Sequence, residues 1–519
     1  MIRSFLTVST GTLSSRLLGF VRDAGIAALL GTGPVADAFL VAFQLVNVVR
    51  RLLSEGALNA ALVPAWLRVR EAEGAVAAAA FAGRVLGTVS AALIAAAASI
   101  GLLMPVVMTA LAPGFAGQPT LQLAVDDARL MLPYLAFAGP VAVMMALMNA
   151  QHRFALTAFS PLLFNIALIA AMIALLGRQQ DSTSIALVIA ATVGIAGLLQ
   201  LSILVWRRGG KIAAPVRISF DSDMRGFFSA AIPGMVASCG PQLLVVVGAV
   251  IASSSPSAVS WLYFANRLIE LPLGIVGVAM GTVLVPELTR ALRGEDQAAV
   301  AQAQSRGLEL AIGLALPATL GLIVLGEPIA RMLFQHGAFT ASDTAATAQA
   351  LTWLVLGLPA HVLVKALSPA FFARHDVLTP LLATLKGLAV AIVLAVVLGQ
   401  IFGANGIAAG LACGAWSSAL TLIRRGAASF GFSIDTTARA RLPRIIAAAL
   451  AMGGLLWLTA PFAPGLGANA HGFTQAVVVI LLIAGAITIY GLLLALSGVF
   501  RWNASVNVFK RTAGSDLRD

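Results

Sequence analysis

Long apolar stretches alternate with short polar gaps along the whole chain of 519 residues. Fourteen stretches are long enough to cross a bilayer as α-helices, because a spanning helix needs about 20 mostly apolar residues. The pattern predicts an all-α polytopic membrane protein with 14 transmembrane helices, at residues 4–30, 35–66, 76–111, 122–150, 157–177, 183–206, 224–252, 257–288, 304–333, 342–372, 378–400, 404–423, 444–462 and 473–499.

The composition excludes an ordinary soluble protein. Hydrophobic residues make up 60% of the chain and charged residues 10%, against about 45–50% and about 25% in soluble domains. The formal net charge of +12 does not indicate nucleic-acid binding, because the basic residues lie mostly in the short gaps between apolar stretches.

The basic residues fall in every second gap and so predict the orientation. Arg68 and Arg70 follow the second stretch and Arg424 and Arg425 follow the twelfth, whereas the alternate gaps hold only Arg178. Lys and Arg are retained on the cytoplasmic side of a membrane. Both termini are therefore predicted to be cytoplasmic (N-in/C-in), which an even number of spans satisfies.

The second and eighth stretches resemble each other. Residues 39–44 (FLVAFQ) align with 261–266 (WLYFAN) at a shift of 222 residues. A shift of six spans preserves orientation, so the pattern predicts two parallel six-helix repeats followed by two extra C-terminal helices. The predicted domains are an N-terminal six-helix bundle (1–206), a cytoplasmic linker (207–223), a C-terminal six-helix bundle (224–425), a second linker (426–443), helices 13 and 14 (444–500) and a cytoplasmic tail (501–519).

Three arginines, Arg16, Arg50 and Arg267, lie inside apolar stretches near the expected middle of the bilayer. Placing a guanidinium there costs at least ~2.5–3.5 kcal/mol, so such residues usually face a cavity and serve a function. The planar guanidinium keeps its proton and binds phosphate through paired hydrogen bonds. Arginines from both repeats therefore predict a cationic central cavity and an anionic substrate, such as a diphosphate.

Internal pairing is the alternative explanation of these charges. Two arginines have an acid at a spacing where helix side chains meet, namely Arg51 with Glu55 and Arg267 with Glu270. Arg22 has only the adjacent Asp23, and adjacent residues are not expected to face each other on a helix. Arg16 and Arg50 have no acid three or four residues away.

The chain lacks the residue patterns of catalysis. No His/Cys/acid cluster has metal-ligand spacing, no glycine-rich phosphate loop occurs, and no nucleophile has a plausible base. We therefore predict that the protein is not an enzyme and uses no metal and no other cofactor.

Three motifs carry a resemblance to a known family. The first helix contains Ser15-Arg16, Gly19-Phe20 and Arg22-Asp23; the second contains Asp37-Ala-Phe39, Asn47, Arg50-Arg51, Glu55-Gly56-Ala57 and Pro64; the eighth contains Trp261, Ala265-Asn-Arg267-Leu and Glu270. With these motifs the chain resembles, over essentially its whole length, the MurJ (MviN) lipid II flippases of the multidrug/oligosaccharidyl-lipid/polysaccharide exporter superfamily.

The resemblance implies a flippase that moves lipid II, the undecaprenyl-diphosphate-linked peptidoglycan precursor, across the bacterial cytoplasmic (inner) membrane by alternating access. It implies roles in peptidoglycan synthesis, cell wall biogenesis and cell shape, with helices 13 and 14 forming a groove for the lipid tail. The implied partners are lipid II and membrane lipids, and cell-wall synthesis enzymes stay open as a further class. The implied substrate-binding residues are Arg16, Arg22, Arg50 and Arg267, with Ser15, Asp37, Asn47, Arg51, Glu55, Asn266 and Glu270 as supporting or gating residues.

The chain departs from the family pattern at three positions. Gln44 and Val46 stand where Lys and Pro are common, and Asn266 replaces the common Asp before Arg267. These changes argue against an ion-pair switch built on those positions. Two alternatives stay open: a flippase for another diphosphate-linked glycolipid of the O-antigen or polysaccharide type, and a non-transporting scaffold for cell-wall enzymes.

Overall fold

The chain is mostly helical in the computed structural model that describes it. The described residues are 2–54, 57–177, 180–206, 213–238, 240–280, 284–294, 297–374, 376–430, 434–462 and 472–499. Within them the helices are α1 (Ile2–Leu30), α2 (Pro34–Ser54), α3 (Ala57–Leu102), α4 (Met104–Leu111), α5 (Pro119–Met131), α6 (Pro133–Ala150), α7 (Phe154–Leu175), α8 (Ser182–Trp206), α9 (Ser222–Ser238), α10 (Gly240–Ala252), α11 (Ala258–Ala279), α12 (Val285–Arg293), α13 (Gln297–Phe334), α14 (Ala341–Val355), α15 (Leu358–Phe372), α16 (Leu378–Phe430), α17 (Thr436–Thr459) and α18 (Phe473–Leu496).

Ten helical segments among the described residues are long and apolar enough to cross a membrane. They correspond to predicted spans three to six and nine to fourteen, which confirms the polytopic membrane class. The helices of predicted spans one and two carry the arginines and aspartates discussed above, which lowers their hydropathy. The count of 14 spans and the orientation stay predictions.

Two long helices are broken at glycines. The backbone of α3 leaves the helical region at Gly74, where φ is 90°, and that of α16 does so at Gly403, where φ is 57°. Glycine adopts positive φ without the steric cost that a Cβ atom brings. One break lies just before the predicted start of span three, and the other lies between predicted spans eleven and twelve. The hydrophobic pattern therefore predicted both helix breaks to within a few residues.

The first compact unit comprises Met1–Phe264, Leu333–Ala346 and Ala395–Ile407. Its core packs α3 against α6 and α9, with Trp66, Leu147 and Met148 buried, and the rings of Phe81 and Phe227 in an edge contact at 6.5 Å. The helix α9 therefore packs with the first six predicted spans, although the sequence placed it at the start of the second bundle.

The second compact unit comprises Ala265–Met332, Thr347–Leu394 and the chain from Ala408 onward. In it α17 packs on α18. The Tyr490 hydroxyl donates to the Gly313 carbonyl at 2.8 Å, and Arg444 Nη1 donates to the Ser497 carbonyl at 3.1 Å. The last two helices are thus tied to each other and to α13.

The described part of the first predicted linker is anchored on α3. We call residues 213–221 the strap. The Arg217 N–H donates to the Gly83 carbonyl at 3.3 Å, and the Ser219 N–H donates to Thr88 Oγ1 at 3.0 Å. These contacts fix an extended segment along a helix that lies more than 100 positions earlier in the sequence.

Ion pairs hold the C-terminal end of the strap on α3. Arg84 donates to Asp221 Oδ2 at 2.9 Å and to Asp223 Oδ2 at 3.0 Å. The Met224 N–H, which donates at 2.9 Å, and then the Ser219 hydroxyl lower the pKa of Asp221 below its usual range, because both stabilise the carboxylate. Asp221 is therefore ionised at neutral pH and holds the strap to Arg84.

Candidate functional site

Arg22 and Asp23 are buried side by side in α1. Their residue exposures are 3% and 0%. Arg22 Nε and Nη2 donate to Asp23 Oδ1 at 2.9 and 2.7 Å. The prediction that adjacent helix residues do not pair is wrong at this position, because the arginine side chain is long enough to bring its guanidinium beside its neighbour when both are excluded from solvent.

Asn165 of α7 joins this ion pair to the backbone of α1. Its Oδ1 accepts from Arg22 Nη1 at 3.0 Å, and its Nδ2 donates to the Ser15 carbonyl at 3.1 Å. The Tyr263 hydroxyl donates to Asp23 Oδ1 at 3.3 Å. We call these residues the Arg22 network. Ser15 enters it through its backbone carbonyl, and Asn165, an amide within an apolar helix, was the signal that sequence reasoning missed.

The guanidinium groups of Arg22 and Arg50 both lie close to a pair of stacked aromatic rings. The rings of Phe43 and Phe164 stack with their centroids 6.4 Å apart. The Arg22 guanidinium lies 5.1 Å from the Phe43 centroid and 5.9 Å from that of Phe164, and the Arg50 guanidinium lies 5.2 Å from Phe164. Asn47 Oδ1 accepts from Arg50 Nη2 at 3.0 Å. Ring faces attract cations, by ~0.5–2 kcal/mol, so the aromatic pair stabilises both guanidinium groups.

Arg267 is paired within α11, in the second unit. Its Nη1 donates to Glu270 Oε2 at 2.5 Å, and both side chains are about one fifth exposed. The predicted pairing at a spacing of three is confirmed. Asn266, the neighbouring predicted site residue, is half-buried on the same helix.

The remaining predicted arginines are partly accessible. Arg16 in α1 and Arg51 in α2 are half-buried. Glu55, the predicted partner of Arg51, lies outside the described residues.

Asp37 lies in the first turn of α2 and is 3% exposed. Its Oδ1 accepts from the Ser260 N–H at 2.9 Å and from the Ser260 hydroxyl at 2.5 Å, in the first turn of α11. A carboxylate is stabilised at the N-terminus of a helix by the unpaired N–H groups there. Asp37 precedes Arg50 by 13 residues, or about 20 Å at 1.5 Å per residue. Its partner in this structure is therefore a helix terminus and not an arginine.

A second contact between distant segments lies at the loop that precedes α2. Thr32 Oγ1 donates to Asp343 Oδ1 at 2.6 Å, and Trp261 Nε1 donates to the same oxygen at 3.4 Å. Gly337 has φ +57°, and a Cβ atom there would lie 2.3 Å from the Ala28 carbonyl oxygen. Sequence reasoning missed this contact because its residues are about 300 positions apart.

Comparison with known proteins identifies relatives over most of the chain. The family described as "Lipid II flippase MurJ" matches residues 26–493. The probable lipid II flippase MurJ of Rhizobium meliloti (strain 1021) is 38% identical over 504 residues, covering 94% of this chain and 92% of the relative. The protein of the same name from Rhizobium tropici is 35% identical over 506 residues, covering 96% and 94%.

Solved structures share the fold. The lipid II flippase MurJ in an inward closed conformation has a TM-score of 0.77 at 21% identity, with 95% of this chain and 98% of that chain covered. An inward-facing multidrug resistance transporter of the MATE family has a TM-score of 0.65 at 13% identity, with 83% and 95% covered. The match of family, relatives and fold, together with the arginine motifs, shows that the chain belongs to the lipid II flippase MurJ family.

Proposed function

We propose that this protein is a lipid II flippase of the bacterial inner membrane and that it carries out no chemical conversion of its substrate. It moves the polyprenyl-diphosphate precursor of peptidoglycan from the inner to the outer leaflet by alternating access. The observation that carries the proposal is the pair of guanidinium groups, Arg22 and Arg50, held at one aromatic ring within an apolar helix bundle. Diphosphate binding by Arg50, with Arg22 positioned beside it, accounts for a cation that is costly to keep in such surroundings.

The proposed roles of the arginines differ with their surroundings. Arg16, Arg50 and Arg267, which are half-buried, contact the diphosphate during the transport cycle. Arg22, which is buried and bonded to Asp23 and Asn165, is a positioning residue that shapes the site. This division assigns direct binding to the half-buried arginines.

The supporting residues act by exchanging partners. Glu270 accepts from Arg267 in this structure, so phosphate oxygens would replace the carboxylate when substrate binds. Asp37 holds the start of α11 through Ser260, and release of that contact accompanies the change of access. Asn47 orients Arg50. Arg51 and Glu55, which are four residues apart in the sequence, are proposed as an exchangeable pair.

The proposed architecture has 14 spans in two parallel six-helix repeats plus a C-terminal pair, with both termini cytoplasmic. Alternation of Lys and Arg between the gaps supports this orientation. A negative membrane interior then favours outward movement of the anionic headgroup by ~2.3 kcal/mol per charge per 100 mV. Lipid II and bilayer lipids are the partners that this function requires, and association with cell-wall synthesis enzymes is a further proposal.

The test measures lipid II in the outer leaflet by cleavage with an externally added enzyme. Cells depleted of the protein are compared with cells rescued by wild type, Arg50→Ala or Arg267→Ala. We expect depletion to block cleavage and the two variants, at normal membrane levels, to restore less than about a tenth of it, since a lost charge-assisted hydrogen bond costs ~1.5–3 kcal/mol.

Arg331→Ala is the matched control, because Arg331 is an arginine on α13 paired with Glu327 at a spacing of four. It should restore cleavage fully. Cleavage that persists after full depletion would refute the proposal, and accumulation of a different lipid-linked glycan would favour another diphosphate glycolipid.

A further inference from the structure

A polar cavity lies between α13 and α17 in the second unit, and none of the arginines assigned to lipid II lines it. Its volume is about 190 Å³, well above the ~10–15 Å³ that one water molecule needs by the same measure. That space admits a small polar headgroup. The lining residues are Gln302, Ser305, Arg306, Glu309, Asp435, Thr437 and Arg441.

The cavity is lined by charges of both signs. Arg441 Nη1 lies 3.6 Å from Glu309 Oε2, which exceeds the usual 2.7–3.2 Å of a hydrogen bond. Arg306 donates at 3.1 Å to Glu287, which does not line the cavity. Two guanidinium groups and two carboxylates, including that of Asp435, give a lining without net charge. Such a lining favours a zwitterion over a simple anion or cation.

The cavity lies at the level expected for lipid headgroups. The 38 residues of α13 would extend about 57 Å at 1.5 Å per residue, roughly twice the thickness of the hydrocarbon core. Residues 310–326 carry no charge and form its membrane segment, whereas the cavity residues precede them. On α17 the last basic residue is Arg444, and residues 445–459 are likewise uncharged. Both helices therefore present the cavity where the apolar segment begins.

We infer that this cavity binds the headgroup of a membrane aminophospholipid such as phosphatidylethanolamine. The phosphate is bound by Arg306 and Arg441, because guanidinium groups donate paired hydrogen bonds to phosphate oxygens. The primary ammonium donates to the carboxylates of Glu309 and Asp435. A quaternary ammonium has no N–H to donate, so a choline headgroup lacks half of these contacts.

The test measures lipid retention on the purified full-length protein by native mass spectrometry, after exchange into detergent with equal amounts of phosphatidylethanolamine, phosphatidylcholine and phosphatidylglycerol. We expect wild type to retain the ethanolamine lipid in preference to the other two. Arg441→Ala should lower its retention about tenfold, as loss of a charge-assisted hydrogen bond predicts. Glu309→Gln, which keeps the side-chain shape, should shift the preference toward the glycerol lipid.

Arg439→Ala is the matched control, because Arg439 is an exposed arginine of α17 that does not line the cavity. It should retain the ethanolamine lipid as wild type does. Thermal unfolding of each variant shows whether it is folded, and Glu309→Gln carries the test if Arg441→Ala is not. Equal retention of ethanolamine and choline lipids by wild type would overturn the inference, as would an equal loss in Arg439→Ala.

Discussion

Neutralising Asp23 is the most direct test of the Arg22 network. The Asp23 carboxylate is fully buried and accepts from Arg22 and from Tyr263. In Asp23→Asn the side chain keeps its size, but the Arg22 guanidinium stays buried without the charge of its partner. We therefore expect the variant to be less stable than wild type and to lose flipping activity.

The magnitude follows from the burial of the pair. The side chains of Arg22 and Asp23 are 4% and 0% exposed, and breaking a buried ion pair by removing one partner costs ~3–5 kcal/mol. Such a loss corresponds to a fall in apparent Tm on the order of 5–10 °C for a large domain. Removing both charges, as in Arg22→Met with Asp23→Leu, avoids the unpaired charge and should restore most of the stability.

The assay combines thermal unfolding of purified protein with the external cleavage of lipid II in depleted cells. The single variant should be unstable and inactive, whereas the double variant should be stable and inactive, because Arg22 no longer positions the site. A double variant that is stable and fully active would refute the positioning role. An Asp23→Asn protein as stable as wild type would refute the argument from burial.

Three further predictions concern other contacts. Gly337→Ala should lower the apparent Tm, because its Cβ would lie 2.3 Å from the Ala28 carbonyl oxygen at a positive φ, whereas Gly321→Ala, with nothing within 4 Å, should not. Hydrogen bonds lower the pKa of Asp221, so the stabilisation that Asp221 gives the strap is complete above its unfolded pKa near ~3.9 and is lost as the pH falls through the lower folded value. Protease cleavage of the strap should therefore rise below about pH 4 in wild type. The Asp221→Asn variant should be cleaved already at neutral pH. Tyr263→Phe removes one hydrogen bond of 3.3 Å, worth ~0.5–1.5 kcal/mol, and should leave flipping within a few-fold of wild type in the cleavage assay.

Local periodicity predicted the parts of the site that lie within one helix. Arg267 and Glu270, three residues apart, pair as helix geometry predicts. The same geometric rule was wrong for Arg22 and Asp23, because it describes where side chains leave the helix and not how far a long side chain reaches in a buried space. Backbone pattern alone cannot distinguish these two cases.

Contacts between distant segments could not be predicted from the sequence. Asn165 bonds to Arg22 across 143 positions, and Ser260 bonds to Asp37 across 223. The apolar pattern placed these helices in the membrane but did not say which faces meet. The strap was predicted as a plain linker for the same reason, since its contacts with α3 depend on tertiary packing.

The contact of Asp37 with Ser260 has a consequence for the predicted repeat. In the predicted parallel repeat, the shift of 222 residues takes Asp37 to Val259 and Ala38 to Ser260. Two identical subunits related by a two-fold axis would make this contact twice, because each surface meets its own copy. Two carboxylates would then approach one another near the axis and repel. A single chain escapes that constraint, since position 37 is an acid while the aligned position 259 is valine beside a serine donor. In the predicted repeat, this single hydrogen-bonded carboxylate is thus a contact that requires the two halves to differ in sequence.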